Sequence, residues 1–353
     1  MKTGRSLVDL AQELTRQLAS KRDMIVPSRM VTCSTGQDNV CRLIVNEPDG
    51  LREYPTTDLA RRQLAEKLKI PFAYFERMRE EKPDLLDRNV NDWLASESEQ
   101  RMLRTLDGRV RAVLSNRYRR MDNYDLAEHV IPVLMALPEA RLESADVTET
   151  KMYLKVVTPA ISRDLGVGDI VQAGVVVSNS EVGCGTLSVQ PLIFRLVCKN
   201  GLIVPDRALR KTHLGRINSA EDDLVSIFND DTLQADDKAF FLKVRDVVKA
   251  AVSEATFLQI SEKMQATIGI KLTGDPVKSV TVLASRFGLN DDERSGVLRH
   301  LIEDGDLSAY GLVNAVTHQS QQIDSYDRAT ELEMLGGRLI ELSRNEWKEM
   351  AEA

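Results

Sequence analysis

Within residues 101–120 the chain sets seven arginines, Arg101, Arg104, Arg109, Arg111, Arg117, Arg119 and Arg120, against one acid, Asp107. A guanidinium keeps its charge at any physiological pH and presents a planar fork of donors that matches phosphate oxygens. A run of this density therefore suits the backbone of a nucleic acid. Tyr118, placed among Arg117, Arg119 and Arg120, adds a ring on which an unpaired base can stack, the combination that single strands favour. A second basic segment, residues 195–216, holds Arg195, Lys199, Arg207, Arg210, Lys211 and Arg216 against Asp206.

The whole chain nevertheless carries a formal charge of −7, so the charge is segregated. Local density decides phosphate neutralisation, because distant acids are screened beyond a Debye length of about 8–10 Å. These residue types assign Arg104, Arg109, Arg111, Arg117, Tyr118, Arg119, Arg120, Lys199, Arg207, Arg210, Lys211 and Arg216 to a nucleic-acid surface. The same arginines also fit the solvated face of a hairpin that leads into a helix. The two readings part on whether residues 195–216 lie beside residues 101–120.

Other constellations carry less. The stretch SNSEVGCGTLSV (Ser178–Val189) has two glycines but neither nucleotide-loop spacing, and strands flank it on both sides, so it reads as a bulged strand connection. Cys198, His213 and Asn200 could be imagined as thiolate, imidazole and orienter, yet nothing local activates the thiol. The acid pairs Asp222–Asp223, Asp230–Asp231, Asp236–Asp237 and Asp291–Asp292 each precede an expected helix, where their charge complements its dipole. Cys33, Cys41, Cys184 and Cys198 lack the short paired spacing of a structural zinc site and read as reduced, buried thiols. Catalytic residues, metal and cofactor are all read as none.

The elements that must position the basic segments can be read from periodicity. Leu7, Leu10, Leu14 and Leu18 mark an amphipathic helix over residues 1–20 whose stripe needs a partner surface. Alternating runs between Ser28 and Tyr54 read as strands, and Thr57 or Asp58 caps the first of three helices ending near Leu94. In QRMLRTLDGRVRAVLS, the Asp107–Gly108 pair predicts a two-residue hairpin turn. In that register Arg104 faces Arg111 and Leu103 faces Ala112, giving a basic outer face. Asp122 is the expected cap of a helix striped by Leu126, Val130, Val133 and Leu137. Four strand runs follow between Arg141 and Val204, and helical periodicity resumes after Asn218, with one long helix through Phe240–Ala255 and four shorter ones.

The expected fold is α+β, a mostly antiparallel sheet with packed helices followed by an all-α C-terminal subdomain. Its expected divisions are the helix 1–20, a core 21–217 and a helical unit 218–353. No apolar run approaches the roughly 20 residues of a membrane span. Asp9, Glu13 and Arg16 interrupt the first residues as no secretory segment would, so a cytoplasmic location without membrane is expected.

Three segments, VLSNRYRRMDNYDL (Val113–Leu126), SNSEVGCGTLSVQPLIFRLVCKNGLIV (Ser178–Val204) and RKTHLG (Arg210–Gly215), resemble the phage- and plasmid-borne family labelled domain of unknown function 932. IPFAYFERM with PDLLDRNVNDWL (Ile70–Leu94) is similar to it as well. The resemblance implies a mobile-element context and supplies no catalytic residue. The hairpin, helix and sheet order is also analogous in plan to ring-forming single-strand annealing proteins. The expected function is non-enzymatic binding of nucleic acid, single-stranded DNA first, as an annealing or recombination accessory. It would form a homo-oligomer through the leucine stripe or the helical tail. The alternative is a protein-binding regulator or host-interaction factor without direct DNA contact, in which the arginines pair with acids.

Overall fold

Residues 1–118, 120–166, 168–205 and 230–353 are described by a computed structural model. The N-terminal elements run α1 (Leu7–Ser20), β1 (Arg22–Pro27), β2 (Val31–Thr35), β3 (Cys41–Glu47), β4 (Gly50–Pro55), α2 (Asp58–Lys67), α3 (Phe72–Glu81), α4 (Pro83–Ser96), β5 (Gln100–Leu106) and β6 (Arg109–Ser115). After α5 (Asn123–Met135) come β7 (Arg141–Val147), β8 (Met152–Asp164), β9 (Ile170–Asn179), β10 (Ser188–Arg195) and β11 (Asn200–Ile203). The last part is helical: α6 (Asp230–Ala251), α7 (Glu254–Ile268), α8 (Pro276–Phe287), α9 (Asp291–Asp304), α10 (Ala309–Gln319), α11 (Tyr326–Leu339) and α12 (Arg344–Ala351). The fold is α+β with antiparallel sheets.

Two compact units divide these elements. Ala11–Tyr124 together with Ser180–Cys184 form one, and Met1–Leu10, Asp125–Asn179 and Gly185–Ala353 form the other. This grouping differs from the boundaries expected at residues 20 and 217, the second of which lies outside the described residues. The physical reason is that β10 and β11 share their core with the helices. Ile193, Leu202 and Val204 lie in one apolar cluster with Phe257, Val313, Leu335 and Trp347, since a sheet face must be covered by another layer.

In the larger unit the strands form an antiparallel meander in the order β11-β10-β9-β8-β7. The pair Gly336–Gly337 lets α11 lie directly on β11: a Cβ on Gly337 would stand 2.0 Å from the Ile203 carbonyl oxygen. Side chains at helix starts fix the boundaries. Ser253 accepts from the Thr256 amide, so the long helix expected through Ala255 instead ends at Ala251 and a new one begins. Asn290 and Glu293 form a reciprocal capping box on α9, and Ser343 with Glu346 form another on α12. That second box divides the expected single last helix into α11 and α12. Asp236 and Asp237 lie inside α6 rather than before a helix.

The smaller unit holds two three-stranded antiparallel sheets, β2-β3-β4 and β1-β5-β6, joined by a parallel bridge between Thr56 and Val110. Strand β1, which no alternation announced, pairs with β5 from Arg22 against Thr105 to Pro27 against Gln100. Helices α2 to α4 close the core, with Phe75, Leu86, Val90 and Leu94 against Val31, Leu43, Leu103 and Val113. In α1, Leu10 and Leu14 are buried in the chain itself while Leu18 is exposed. Half of the leucine stripe is thus covered, with Leu7 half-buried.

Candidate nucleic-acid interface

The hairpin turns where expected. Asp107 and Gly108 both have positive φ, 52° and 70°, the pairing a type I′ turn requires. The register does not hold along the strands, because a bulge between Arg104 and Thr105 absorbs Arg111. Leu106 faces Arg109 and Thr105 faces Val110, but Arg104 then faces Ala112 and Leu103 faces Val113. The expected basic outer face is thereby split: Arg109 is exposed, while Arg104 is fully buried.

A buried guanidinium must have its charge and donors met, and three segments meet those of Arg104. Nε and Nη2 donate to the two Asp23 oxygens at 2.8 and 2.9 Å. Nη2 also donates to Asp122 at 2.6 Å, and Nη1 to the Glu181 carbonyl oxygen at 2.8 Å. Lys21 holds the other Asp122 oxygen at 2.5 Å. The Glu181 carboxylate receives Arg111 through Nη2 and the Asn123 amide at 2.5 Å. Arg120 stands at 3.6 Å from Asp23.

The Asp122 carboxylate, expected to cap α5, holds Arg104 and Lys21. The Asn123 amide, the first of the helix, donates to Glu181, an anion where the helix end favours one. The α5 stripe is Leu126, Val130 and Leu134 rather than Val133. Burial works against the charge on Arg104, but its hydrogen bonds to Asp23 and Asp122 outweigh it and push the guanidinium pKa up. Burial likewise pushes Asp122 up, and the Lys21 and Arg104 bonds overcome it, so the carboxyl sits below its ordinary value.

Tyr118 belongs to the same assembly. Its hydroxyl donates to the Ser180 carbonyl at 2.8 Å, its ring packs beside Met102, Ala112, Leu114 and Val182, and burial pushes its phenol pKa up. The segment Ser180–Cys184 reaches this position because Gly183 turns with φ 79°; a Cβ there would meet the Leu114 methyl at 2.7 Å. The SNSEVGCG stretch is thus a strand connection, as its flanks implied, with the added task of supplying Glu181. Its chemistry is positioning: three carboxylates close around Lys21, Arg104 and Arg111, and the hairpin, the residues before α5 and the 180–184 segment are locked to one another.

Of the predicted surface, the structure brings Arg104, Arg111 and Tyr118 together, but as internal partners. Arg104 cannot reach a phosphate, and Arg111 is nearly buried against Glu181. Arg109, Arg117 and Arg120 are exposed. Asp107, beside Arg109 in sequence, is held by Arg16 at 2.8 Å and Ser20 at 2.7 Å. Among the described residues neither Arg109 nor Arg117 has a carboxylate partner. Lys199 is exposed in the turn before β11 of the other unit. Arg119, Arg207, Arg210, Lys211 and Arg216 lie outside the described residues, as does His213. Asn200 donates to the Thr317 hydroxyl at 2.6 Å and does not orient Cys198.

The sequence does not reveal Asp23, Asp122 and Glu181 as partners of the arginines. The only available signal was a strand residue, Arg104, set between Leu103 and Thr105 on a pattern that otherwise turns inward. Comparisons with protein-family models, with curated proteins and with solved structures return no match, so the likeness carried by the RYRRMDNYD and SNSEVGCG segments rests on those residues alone.

Proposed function

We propose that this chain is a non-enzymatic nucleic-acid-binding protein that holds single-stranded DNA through Arg109, Arg117 and Arg120, as an annealing or recombination accessory of a phage or other mobile element. The observation that carries the reading is the exposure of Arg109 and Arg117 without carboxylate partners among the described residues, on a chain of net charge −7. Arg104, Arg111 and Tyr118 act behind that surface, fixing the loop that presents Arg117 and Arg120. Three phosphate contacts on a single strand give a slope of log K against log salt of about −2.

The test is anisotropy of labelled single-stranded and duplex DNA over a salt series. The Arg109→Glu/Arg117→Glu variant is expected to bring the slope to about −0.7, and absence of binding at the lowest salt ends the proposal. Light scattering with and without DNA addresses the homo-oligomer, and a monomer in both ends the annealing-ring plan.

A second reading, a protein-binding factor of a mobile element, is favoured by a different observation. Leu85 and Trp93, eight residues apart on one face of α4, are 42% and 53% exposed, and the internal pairing of Arg104 and Arg111 fits a protein whose cations are structural. Loss of the DNA reading leaves this one.

A further inference from the structure

Cys198, Asp304 and His318 are distant in sequence and belong to three elements of the larger unit, the turn between β10 and β11, the last residue of α9 and the last turn of α10. One ligand atom from each, a thiol sulfur, a carboxylate oxygen and a ring nitrogen, lies within 4.8 Å of the other two. We infer that these three side chains bind a divalent metal ion of the zinc class, leaving a fourth position open to water or an exchangeable ligand.

Each ligand is held by its surroundings. The Gln321 side chain donates to the Cys198 carbonyl oxygen at 2.8 Å, fixing the turn. The bond from Asn200 to Thr317 ties the following strand to α10 one residue before His318. Arg195 donates to the Cys198 sulfur at 3.3 Å while its own charge is met by Asp169 at 2.6 Å, which fixes where the sulfur stands. Polar atoms at the site wait for a partner: among the described residues His318 Nδ1 has no hydrogen bond, nor has Nε2 of the buried His300, whose ring stacks on His318 at 4.0 Å between centroids.

The helix ends give an independent reason. Asp304 closes α9, whose last turn also holds Glu303 and no basic residue, and His318 is near the end of α10. A helix C-terminus carries partial negative charge and disfavours carboxylates. With Asp304 and His318 both in the last turns of their helices, that partial negative charge adds to the carboxylate in favouring a cation. A mixed sulfur, nitrogen and oxygen set suits zinc and its substitutes rather than calcium or magnesium, and three protein ligands are the number found where zinc keeps an exchangeable position.

The test is a titration of the full-length, chelator-treated protein with Co²⁺, followed by competition with Zn²⁺. One equivalent should give a thiolate-to-metal charge-transfer band, displaced by Zn²⁺. Cys198→Ser should abolish the band, and Asp304→Asn should keep it while weakening Zn²⁺ binding by more than about 10-fold, the lower bound for disturbing even an outer partner. Cys184→Ser should change neither. Asp304 is exposed, so its variant reads the site without disturbing the core. Absence of the band in the folded protein, its persistence in Cys198→Ser, or unchanged affinity in Asp304→Asn would each overturn the assignment.

Discussion

Glu181 is the residue on which the buried charges close. It gives its carboxylate to Arg111 and to the Asn123 amide and its carbonyl oxygen to Arg104. Removing one partner of a buried pair leaves the other charge uncompensated and costs about 3–5 kcal/mol, so Glu181→Ala should lower stability by that amount in urea unfolding. Asp122 adds a pH dependence. Its carboxyl is depressed in the fold, so its contribution is complete above the ordinary value of about 3.9 and is lost as pH falls through the lower folded value. The native chain should therefore lose stability below about pH 4, and Asp122→Asn should flatten that loss, read from urea midpoints between about pH 3 and pH 5.

At the scale of elements, local rules were readable and long-range ones were not. Asp107–Gly108 specified its turn through backbone geometry alone, and Pro276, Gly288 and Gly305 bounded their helices by the same means. The bulge at Arg104 was not readable, because it answers to an aspartate on β1, 81 residues away. Strand β1 itself, RDMIVP, shows little alternation since its pairing with β5 rather than its own pattern holds it. The candidate surface was legible as a basic segment, but which arginines face outward depends on acids elsewhere in the chain. Two substitutions test the element boundaries. Gly337→Ala should cost about 1–3 kcal/mol, as overpacking does, because its methyl would collide with the Ile203 carbonyl. Asn290→Ala should cost about 1 kcal/mol through loss of the capping box. Thermal and urea unfolding read both.

For the whole molecule, the smaller unit is discontinuous: residues 11–124 are completed by five residues that follow β9. A fragment of residues 11–124 carries Arg104 and Arg111 without Glu181, so it should unfold at lower temperature than the same fragment mixed with a peptide of residues 178–186. Equal melting with and without the peptide, followed by circular dichroism, would show that the segment contributes nothing.

The same borrowed segment sets a timetable for biosynthesis. When Tyr124 leaves the ribosome, the core around Phe75 and Leu86 has all its residues, but Arg111 still lacks the carboxylate that comes only with residue 181. At about 5–20 residues per second the interval lasts roughly 3–12 s. During it the nascent chain displays Arg111 without the carboxylate that covers it in the mature protein, beside the most polyanionic machine in the cell. Closure of the Arg111 charge must wait on the meander, and substitutions at Glu181 should lower the yield of folded protein during synthesis more than they slow refolding of the finished chain.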